Sequence, residues 1–245
     1  MNTKTLTLLT IILTMFMAVN VMAIQPFGAN YTQIKTGRAP MDPAQDHEAI
    51  AGNVTELDIF GYSPTQSWQG YYGNVSGTIQ LADALDNVMY NWSLASPEGE
   101  VYATTITTVN WSGVQCFDIA NDHDDLETLF NIASDDVDGV NETFATGNAH
   151  DMFYTNNIQF TEGECPSTSI YDADDTALTT DDNNFEEVLL SDGSSTTSVI
   201  FTAILDEEDV SGFDNAYHDF EMLVLEDGHG TDIATTTYYF YVELE

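Results

Sequence analysis

Residues 185–205 read FEEVLLSDGSSTTSVIFTAIL, and this stretch indicates the fold class of the whole chain. Two runs of apolar and β-branched residues flank a polar segment that contains Asp192 and Gly193. Runs of this kind separated by an Asp-Gly pair are typical of two antiparallel strands joined by a turn. The stretch therefore predicts a β-hairpin around Asp192 and Gly193.

The same period of two recurs along most of the chain. Residues 70–81, GYYGNVSGTIQL, alternate strictly between two faces, with Tyr71 on the apolar one. Residues 88–95, VMYNWSLA, predict a strand with Asn91 outward and with four side chains inward: Val88, Tyr90, Trp92 and Leu94. Further strands are predicted over residues 100–113, around Cys116 and over 152–160.

The C-terminal region predicts a second hairpin, around Asp227 and Gly228. Its last strand is amphipathic, with Tyr238, Phe240, Val242 and Leu244 on one face. Short strands at this spacing indicate an all-β fold, an antiparallel β-sandwich of immunoglobulin-like or jelly-roll-like type. One short helical insertion is expected within residues 122–145, because apolar residues there fall at helical spacing: Leu126, Leu129, Phe130 and Ala133.

The charge balance is extreme. Three Lys and Arg residues stand against 41 Asp and Glu residues in 245, for a formal net charge of −38. Nucleic acid and anionic membranes are poor partners for such a chain, because both are bound through cations. Its self-repulsion calls for screening by salt or divalent cations.

The N-terminus has the features of a secretory signal. Lys4 precedes an uncharged run over residues 5–24, and Val21-Met22-Ala23 fits a cleavage site. We therefore expect a signal peptide over residues 1–23, an extended Pro-containing leader over 24–50, and one β-sandwich domain over 51–245. No other stretch approaches the length of a membrane span, so the chain has no transmembrane segment unless this signal stays uncleaved. A secreted or cell-surface location follows from this interpretation.

Cys116 and Cys165 are the only cysteines. A lone pair in a secreted protein is usually a disulfide, whereas metal and redox sites need closer spacing. We predict a disulfide between them.

Six Asn-x-Ser/Thr triplets predict N-glycosylation. Three of their asparagines fall on the polar register of a predicted strand, where a bulky sugar has room. After residue 141 no such triplet occurs, so one half of the protein is expected to carry sugar and the other to be bare. The six acceptors are Asn30, Asn53, Asn74, Asn91, Asn110 and Asn141.

Three phrases give the chain a resemblance to a group of uncharacterised secreted archaeal surface proteins: SWQGYYGNVSGTIQL, NVMYNWSLASPEGEVYA and TTTYYFYVELE. In general character the chain is also similar to archaeal surface filament and S-layer subunits. The resemblance implies secretion and a β-sandwich, and it assigns no catalytic residue.

No cofactor is expected; the alternative that the acidic residues suggest is a requirement for calcium or high salt. An EF-hand is ruled out, because the loop that begins at Ser134 has Ala145 where the bidentate Glu belongs. A looser calcium site would gather five residues: Asp172, Asp174, Asp175, Asp181 and Asp182. The alternative is that these acids form a solvated surface.

No sequence motif indicates an enzyme. The five histidines lack HExxH or paired metal spacing, and GxSxG, the P-loop and GxGxxG are absent. A pair of catalytic carboxylates is expected by accident among so many acids, so it carries no weight alone. Five aromatic residues suggest either a sugar-stacking platform or core packing: Trp68, Trp92, Trp111, Tyr71 and Tyr72.

The leading hypothesis is a non-enzymatic surface glycoprotein that assembles into a filament or surface layer. The alternative is a secreted carbohydrate-binding module or glycoside hydrolase, which an outward aromatic row or a cleft with a carboxyl of raised pKa favours. Lys35 and Arg38 are the only cations left after cleavage, and both lie in the leader. They are expected to draw the leader onto an acidic surface, either of its own body or of a neighbouring subunit.

Overall fold

The structure, a computed structural model, describes residues 25–94, 97–147, 150–171, 185–205, 210–228 and 235–244. Strands make up 35% of the described residues and helices 9%, so the prediction of an all-β antiparallel fold is confirmed. The predicted signal peptide lies outside the described residues. The strands are β1 (Phe27–Gly28), β2 (Trp68–Gly73), β3 (Thr78–Ala82), β4 (Val88–Ser93), β5 (Gly99–Thr104), β6 (Gln115–Cys116), β7 (Phe153–Thr155), β8 (Ile158–Phe160), β9 (Ser167–Ile170), β10 (Phe185–Ser191), β11 (Val199–Ile204), β12 (Val210–Ser211), β13 (Tyr217–His218), β14 (Phe220–Leu225) and β15 (Tyr239–Leu244).

A seven-stranded antiparallel sheet forms the centre of the molecule. Its order is β1-β15-β5-β11-β10, and β6 and β9 pair with successive parts of β10. The predicted hairpin is its middle: β10 and β11 pair with Leu189 opposite Phe201. Gly193 has φ +71°, a backbone conformation that glycine adopts without strain.

Both faces of this sheet are buried. On one face Val101, Leu189 and Phe201 belong to the larger hydrophobic cluster. Their neighbours in the strands, Tyr102 and Leu190, point the other way into a second cluster. The period of two thus reports the alternation between two cores rather than between core and water.

A second layer covers the first face and completes the sandwich. It consists of the antiparallel pair β2 and β14, with β14 packed on β10 and β11. Helices α1 (Ile119–Leu129) and α2 (Val140–Thr143) extend this layer. Trp68 joins the parts, since its ring centroid lies 5.8 Å from that of Phe144 on the helical side and 6.4 Å from that of Phe201 in the sheet.

The opposite face is covered by shorter pieces. β7 and β8 form a hairpin, where the sequence had predicted one strand. The turn residues Asn156 and Asn157 have φ of 49° and 61°, values typical of a type I′ turn. The Cys116–Cys165 disulfide is present as predicted and lies in the second cluster with Trp111.

The helical insertion is confirmed, although α1 begins three residues earlier than residue 122. Leu126 and Phe130 are buried as predicted, whereas Leu129 is exposed, because the buried face of α1 runs through Ile119 and Leu126. Among the described residues no helix has the length and apolarity needed to cross a membrane.

The predicted hairpin around Asp227 and Gly228 is wrong. β14 pairs with β2, and β15 pairs with β1 and β5 in the other layer. Gly228 does not turn the chain back, because its N–H donates to the Gln66 carbonyl and so prolongs the β2–β14 ladder. A Cβ at Gly228 would lie 2.5 Å from that carbonyl oxygen, so glycine allows the two backbone segments to approach each other closely here.

Two predicted strands are shorter than expected. The alternating stretch 70–81 is broken between β2 and β3, where the Asp219 carboxylate accepts a hydrogen bond from the Val75 N–H at 2.6 Å. β5 ends at Thr104, whose hydroxyl donates to the Val199 carbonyl at 2.7 Å. The chain after Thr104 therefore leaves the sheet, and Asn110 lies before a short 3-10 turn at Trp111–Gly113 rather than on a strand.

Candidate functional site

The β3–β4 hairpin stands apart from both cores. Its strands pair antiparallel, with Ile79 opposite Trp92 and Leu81 opposite Tyr90. One side of the hairpin is therefore apolar, and the name apolar hairpin face is used here for Ile79, Leu81, Tyr90 and Trp92. The other side carries Thr78, Gln80, Asn91 and Ser93, so the predicted division into two registers is correct for these residues. It is wrong for Val88, because a register shift after Leu81 places Val88 opposite Ala82.

The inward orientation predicted for this face is wrong. Tyr90 is 60% exposed and Trp92 is 49% exposed. Their ring centroids lie 5.0 Å apart, and no member of the face belongs to either hydrophobic cluster of the described residues. Alternation placed Ile79, Leu81, Tyr90 and Trp92 on one face correctly, but the described residues supply no second layer over them.

The end of the hairpin is shaped by its own sequence. The Asp83 carboxylate accepts hydrogen bonds from the N–H groups of Leu85 and Asn87, both at 2.9 Å. The Asn87 side-chain amide donates to the same carboxylate at 2.8 Å. Together with the two backbone bonds, this contact lowers the pKa of Asp83. The hairpin tip is thus a preformed, negatively charged turn.

The sequons lie where sugar has room. All six acceptor asparagines are exposed. Asn91 lies on the polar side of β4, so a glycan there projects away from the apolar hairpin face. Asn74 directly follows β2 and so does not lie on a strand, although a strand had been predicted there, and Asn141 lies on α2. At Asn110 the amide oxygen accepts a hydrogen bond from Ser112 of the same triplet at 2.9 Å.

The leader contacts its own body. β1 pairs with β15 at the edge of the large sheet. Lys35 Nζ lies 3.3 Å from an Asp214 carboxylate oxygen and 5.3 Å from the centroid of the Tyr72 ring. His218 contacts the same carboxylate at 2.9 Å, and this hydrogen bond is the main reason why the pKa of Asp214 is lowered. The structure therefore shows the intramolecular alternative for Lys35, while Arg38 is exposed.

The remaining aromatic candidates do not form a platform. Trp111 is 5% exposed and lies in the second core. Trp68 and Tyr71 are partly buried against the first core, and Tyr72 packs on Phe213. Core packing is thus the correct interpretation for Trp68, Trp111 and Tyr71, and the wrong one for Trp92.

Sequence reasoning missed one group of possible metal ligands. Ligand atoms of His123, Asp124 and Glu127 lie within 4.8 Å of one another on α1. His123 and Glu127 are four residues apart on one helix face, a spacing that a search for His pairs does not detect. The predicted calcium residues Asp172, Asp174, Asp175, Asp181 and Asp182 lie outside the described residues.

A close pair of carboxyl groups does occur, but in a core. Glu100 and Glu243 are opposite each other in β5 and β15, and a carboxylate oxygen of each lies 3.2 Å from the Tyr102 hydroxyl. All three residues are buried. Burial, with the two carboxylates, raises the pKa of Tyr102 well above its usual range. Because the pair lies inside the second core, it has no access for a substrate.

Comparison of the chain with protein-family models, with curated proteins and with solved structures gives no match. The resemblance to secreted archaeal surface proteins stays a prediction.

Proposed function

We propose that the protein is a secreted, N-glycosylated and highly acidic structural protein of the cell surface, whose copies associate into a filament or surface layer. The observation that carries this proposal is the uncovered apolar hairpin face. The six exposed sequons support the surface location, and the polar side of the hairpin, with Asn91, is the side on which sugar would lie.

A two-stranded hairpin is marginally stable in water unless a further layer covers its apolar side. Neither hydrophobic cluster of the described residues supplies that layer, so we expect a binding partner to supply it. A second copy supplies an identical apolar face, and two such faces pack as a symmetric contact. Asp83 and Asp86 at the tip disfavour a strongly anionic partner such as nucleic acid.

The size of the face indicates a weak contact. Four half-exposed side chains of this size offer roughly 400 Å² per copy. Stable complexes bury about 800 Å² per partner. The hairpin contact alone therefore gives a weak dimer, and an extended assembly needs a second contact that strengthens it by multivalency.

The leader is the candidate for that second contact. Its hold on its own body includes the short strand β1, the contact between the Tyr31 and Phe240 rings, and the Lys35–Asp214 ion pair. An exposed ion pair contributes at most about 1 kcal/mol. If the leader made the same contacts with a neighbouring subunit, intermolecular contacts would replace equivalent intramolecular ones at little cost in free energy. Such head-to-tail contacts propagate along an assembly.

Electron microscopy of the protein purified from its native surface tests the proposal. Filaments or a regular layer are expected, with mass spectrometry showing glycan on the predicted asparagines. A monomer without sugar under native salt conditions would contradict it. Polysaccharide binding by Tyr90 and Trp92 is the competing interpretation of the same face, and it predicts that added polysaccharide, rather than a second copy, covers these rings.

A further inference from the structure

A cleft of about 420 Å³ lies beside helix α2, at the edge of the sandwich. Its walls come from three elements: Glu142 and Thr143 of α2, residues of β9 with the following Tyr171, and Leu223 of β14. The cleft is remote from the apolar hairpin face in sequence and shares no residue with it.

The lining is rich in polar groups that the fold does not use. The side-chain oxygens of Glu142, Thr168, Ser169 and Tyr171 make no hydrogen bond to the rest of the described chain, and the Thr143 hydroxyl uses its proton on the Gly139 carbonyl at 2.7 Å. Ile170, Leu223 and the Tyr171 ring add apolar surface. No Lys or Arg is among the described residues that line the cleft, which disfavours an anionic ligand.

One buried carboxyl next to the cleft has an oxygen without a hydrogen-bond partner in the described part of the chain. Glu187 of β10 is fully buried, and it lies opposite Thr168 in the sheet. One of its carboxyl oxygens accepts a hydrogen bond from the Leu223 N–H at 2.7 Å. The other has no partner in the described part of the chain. The Glu187 carboxyl is thus hydrogen-bonded to Leu223, and Glu187 lies opposite Thr168; both of these residues line the cleft.

A neutral, polyhydroxylated ligand fits a cleft that combines a polar lining, some apolar surface and a neighbouring buried carboxyl. Sugar hydroxyls both donate and accept, as the lining hydroxyls do, and a carboxylate such as Glu142 accepts from them. A hydroxyl also suits Glu187 in either protonation state, since it can accept from the acid or donate to the carboxylate. The volume falls in the range of small-ligand sites, and Tyr171 offers a ring on which a sugar face can pack.

The sequence places a source of sugar at this cleft. Asn141, Glu142 and Thr143 form one of the six glycosylation triplets, and two of its three residues line the cleft. Asn141 itself is exposed on α2. We propose that the cleft is a saccharide-binding site, and that the glycan attached to Asn141 of the same chain occupies it. The second part rests on the proposed glycosylation, whereas the first does not.

The first test uses the mature chain without glycans. Four probes are titrated into the tens of millimolar range and followed by saturation-transfer NMR: D-glucose, D-galactose, D-mannose and N-acetyl-D-glucosamine. Binding of at least one is expected. Thr168→Val and Glu142→Ala should each weaken it several-fold, because each removes one hydrogen-bonding group of the lining. Thr78→Val, on the exposed polar side of β3, is the matched control and should leave binding unchanged.

Three outcomes of this test would overturn the saccharide site. They are the absence of binding by every probe, binding that the cleft variants leave intact, and binding of Ca²⁺ in place of sugar, measured by calorimetry with CaCl₂ alone. Unchanged melting temperatures in the variants show that a loss of binding is local. The cleft variants should also leave self-association unchanged, which separates this site from the hairpin contact.

The second test identifies the source of the sugar in the glycosylated protein. If the Asn141 glycan fills the cleft, the native protein should bind free sugar weakly, and Asn141→Gln should restore the affinity of the sugar-free chain. Asn74→Gln removes a different glycan and should restore nothing. If the native protein binds free sugar as tightly as the sugar-free chain, or carries no glycan at Asn141, the assignment to Asn141 is wrong and the site takes free or neighbouring saccharide.

Discussion

Replacement of Trp92 by Ser should weaken self-association by at least a hundredfold. Trp92 is 49% exposed, and a Trp side chain presents about 150–250 Å², so about 100 Å² per copy is available to a partner. At about 25 cal/mol/Å² this area corresponds to about 2.5 kcal/mol per copy, and a symmetric contact loses it twice. The entropy lost on association offsets part of the free energy gained from buried area. We therefore expect the substitution to weaken binding by about 3 kcal/mol, which is a more than hundredfold increase in Kd.

The same substitution should leave the fold intact. Trp92 belongs to neither hydrophobic cluster, so the free energy of unfolding should change by no more than about 0.5 kcal/mol. Trp111 provides the contrast, because it is 5% exposed in the second core. Trp111→Ser should cost about 3–5 kcal/mol of stability.

Sedimentation equilibrium measures the association, and denaturant unfolding of the same samples measures the stability. Tyr62→Ser is the control for a general effect of surface aromatics, since Tyr62 is exposed in the segment before β2. The reasoning is refuted if Trp92→Ser sediments like the wild type, or if it destabilises the fold as much as Trp111→Ser does.

Three further predictions concern stability. Burial raises the pKa of Glu187 well above its usual range. Its contribution to the free energy of unfolding is therefore fully present below the pKa of Glu187 in the unfolded chain, and it is lost as pH rises through the pKa in the folded protein. Glu187→Gln should therefore raise the melting temperature at neutral pH and flatten its fall with pH, while Glu162→Gln at an exposed site should not; equal profiles would contradict this. Replacing Cys116 and Cys165 by Ser should lower the free energy of unfolding by about 4 kcal/mol, given their separation of 49 residues, and an unchanged denaturant midpoint would refute it. The melting temperature should rise with NaCl or CaCl₂, because screening relieves repulsion among 41 acidic residues, and a flat titration would show that the charges do not limit stability.

The parts of the fold that were predictable from sequence are those that local chemistry determines. The β10–β11 hairpin was predicted because its turn residues and both of its strands lie within one short stretch. The helical insertion was predicted because the apolar period changes. Asp227 and Gly228 present the same local signal as Asp192 and Gly193, yet the Gly228 N–H donates to the Gln66 carbonyl and prolongs the β2–β14 ladder. The difference is a contact distant in sequence, which no turn residue encodes.

The candidate site shows the same limit in another form. Alternation assigned Tyr90 and Trp92 to one face and Asn91 to the other, and the structure agrees. Period alone reports which side chains share a face and does not report whether another layer covers that face. The cleft beside α2 was not predictable either, because it joins residues of α2, β9 and β14 that are far apart in the chain.

The most direct test of the account is a cross-linking comparison of two neighbouring positions on β3. Leu81 lies near the centre of the apolar hairpin face, and Gln80 points to the opposite side. The natural cysteines are joined in a disulfide, so a single added cysteine is the one free thiol. With a short bismaleimide, Leu81→Cys should give covalent dimers in high yield, and Gln80→Cys should give few. Equal yields from the two, or more from Gln80→Cys, would show that copies of the chain do not associate through this face.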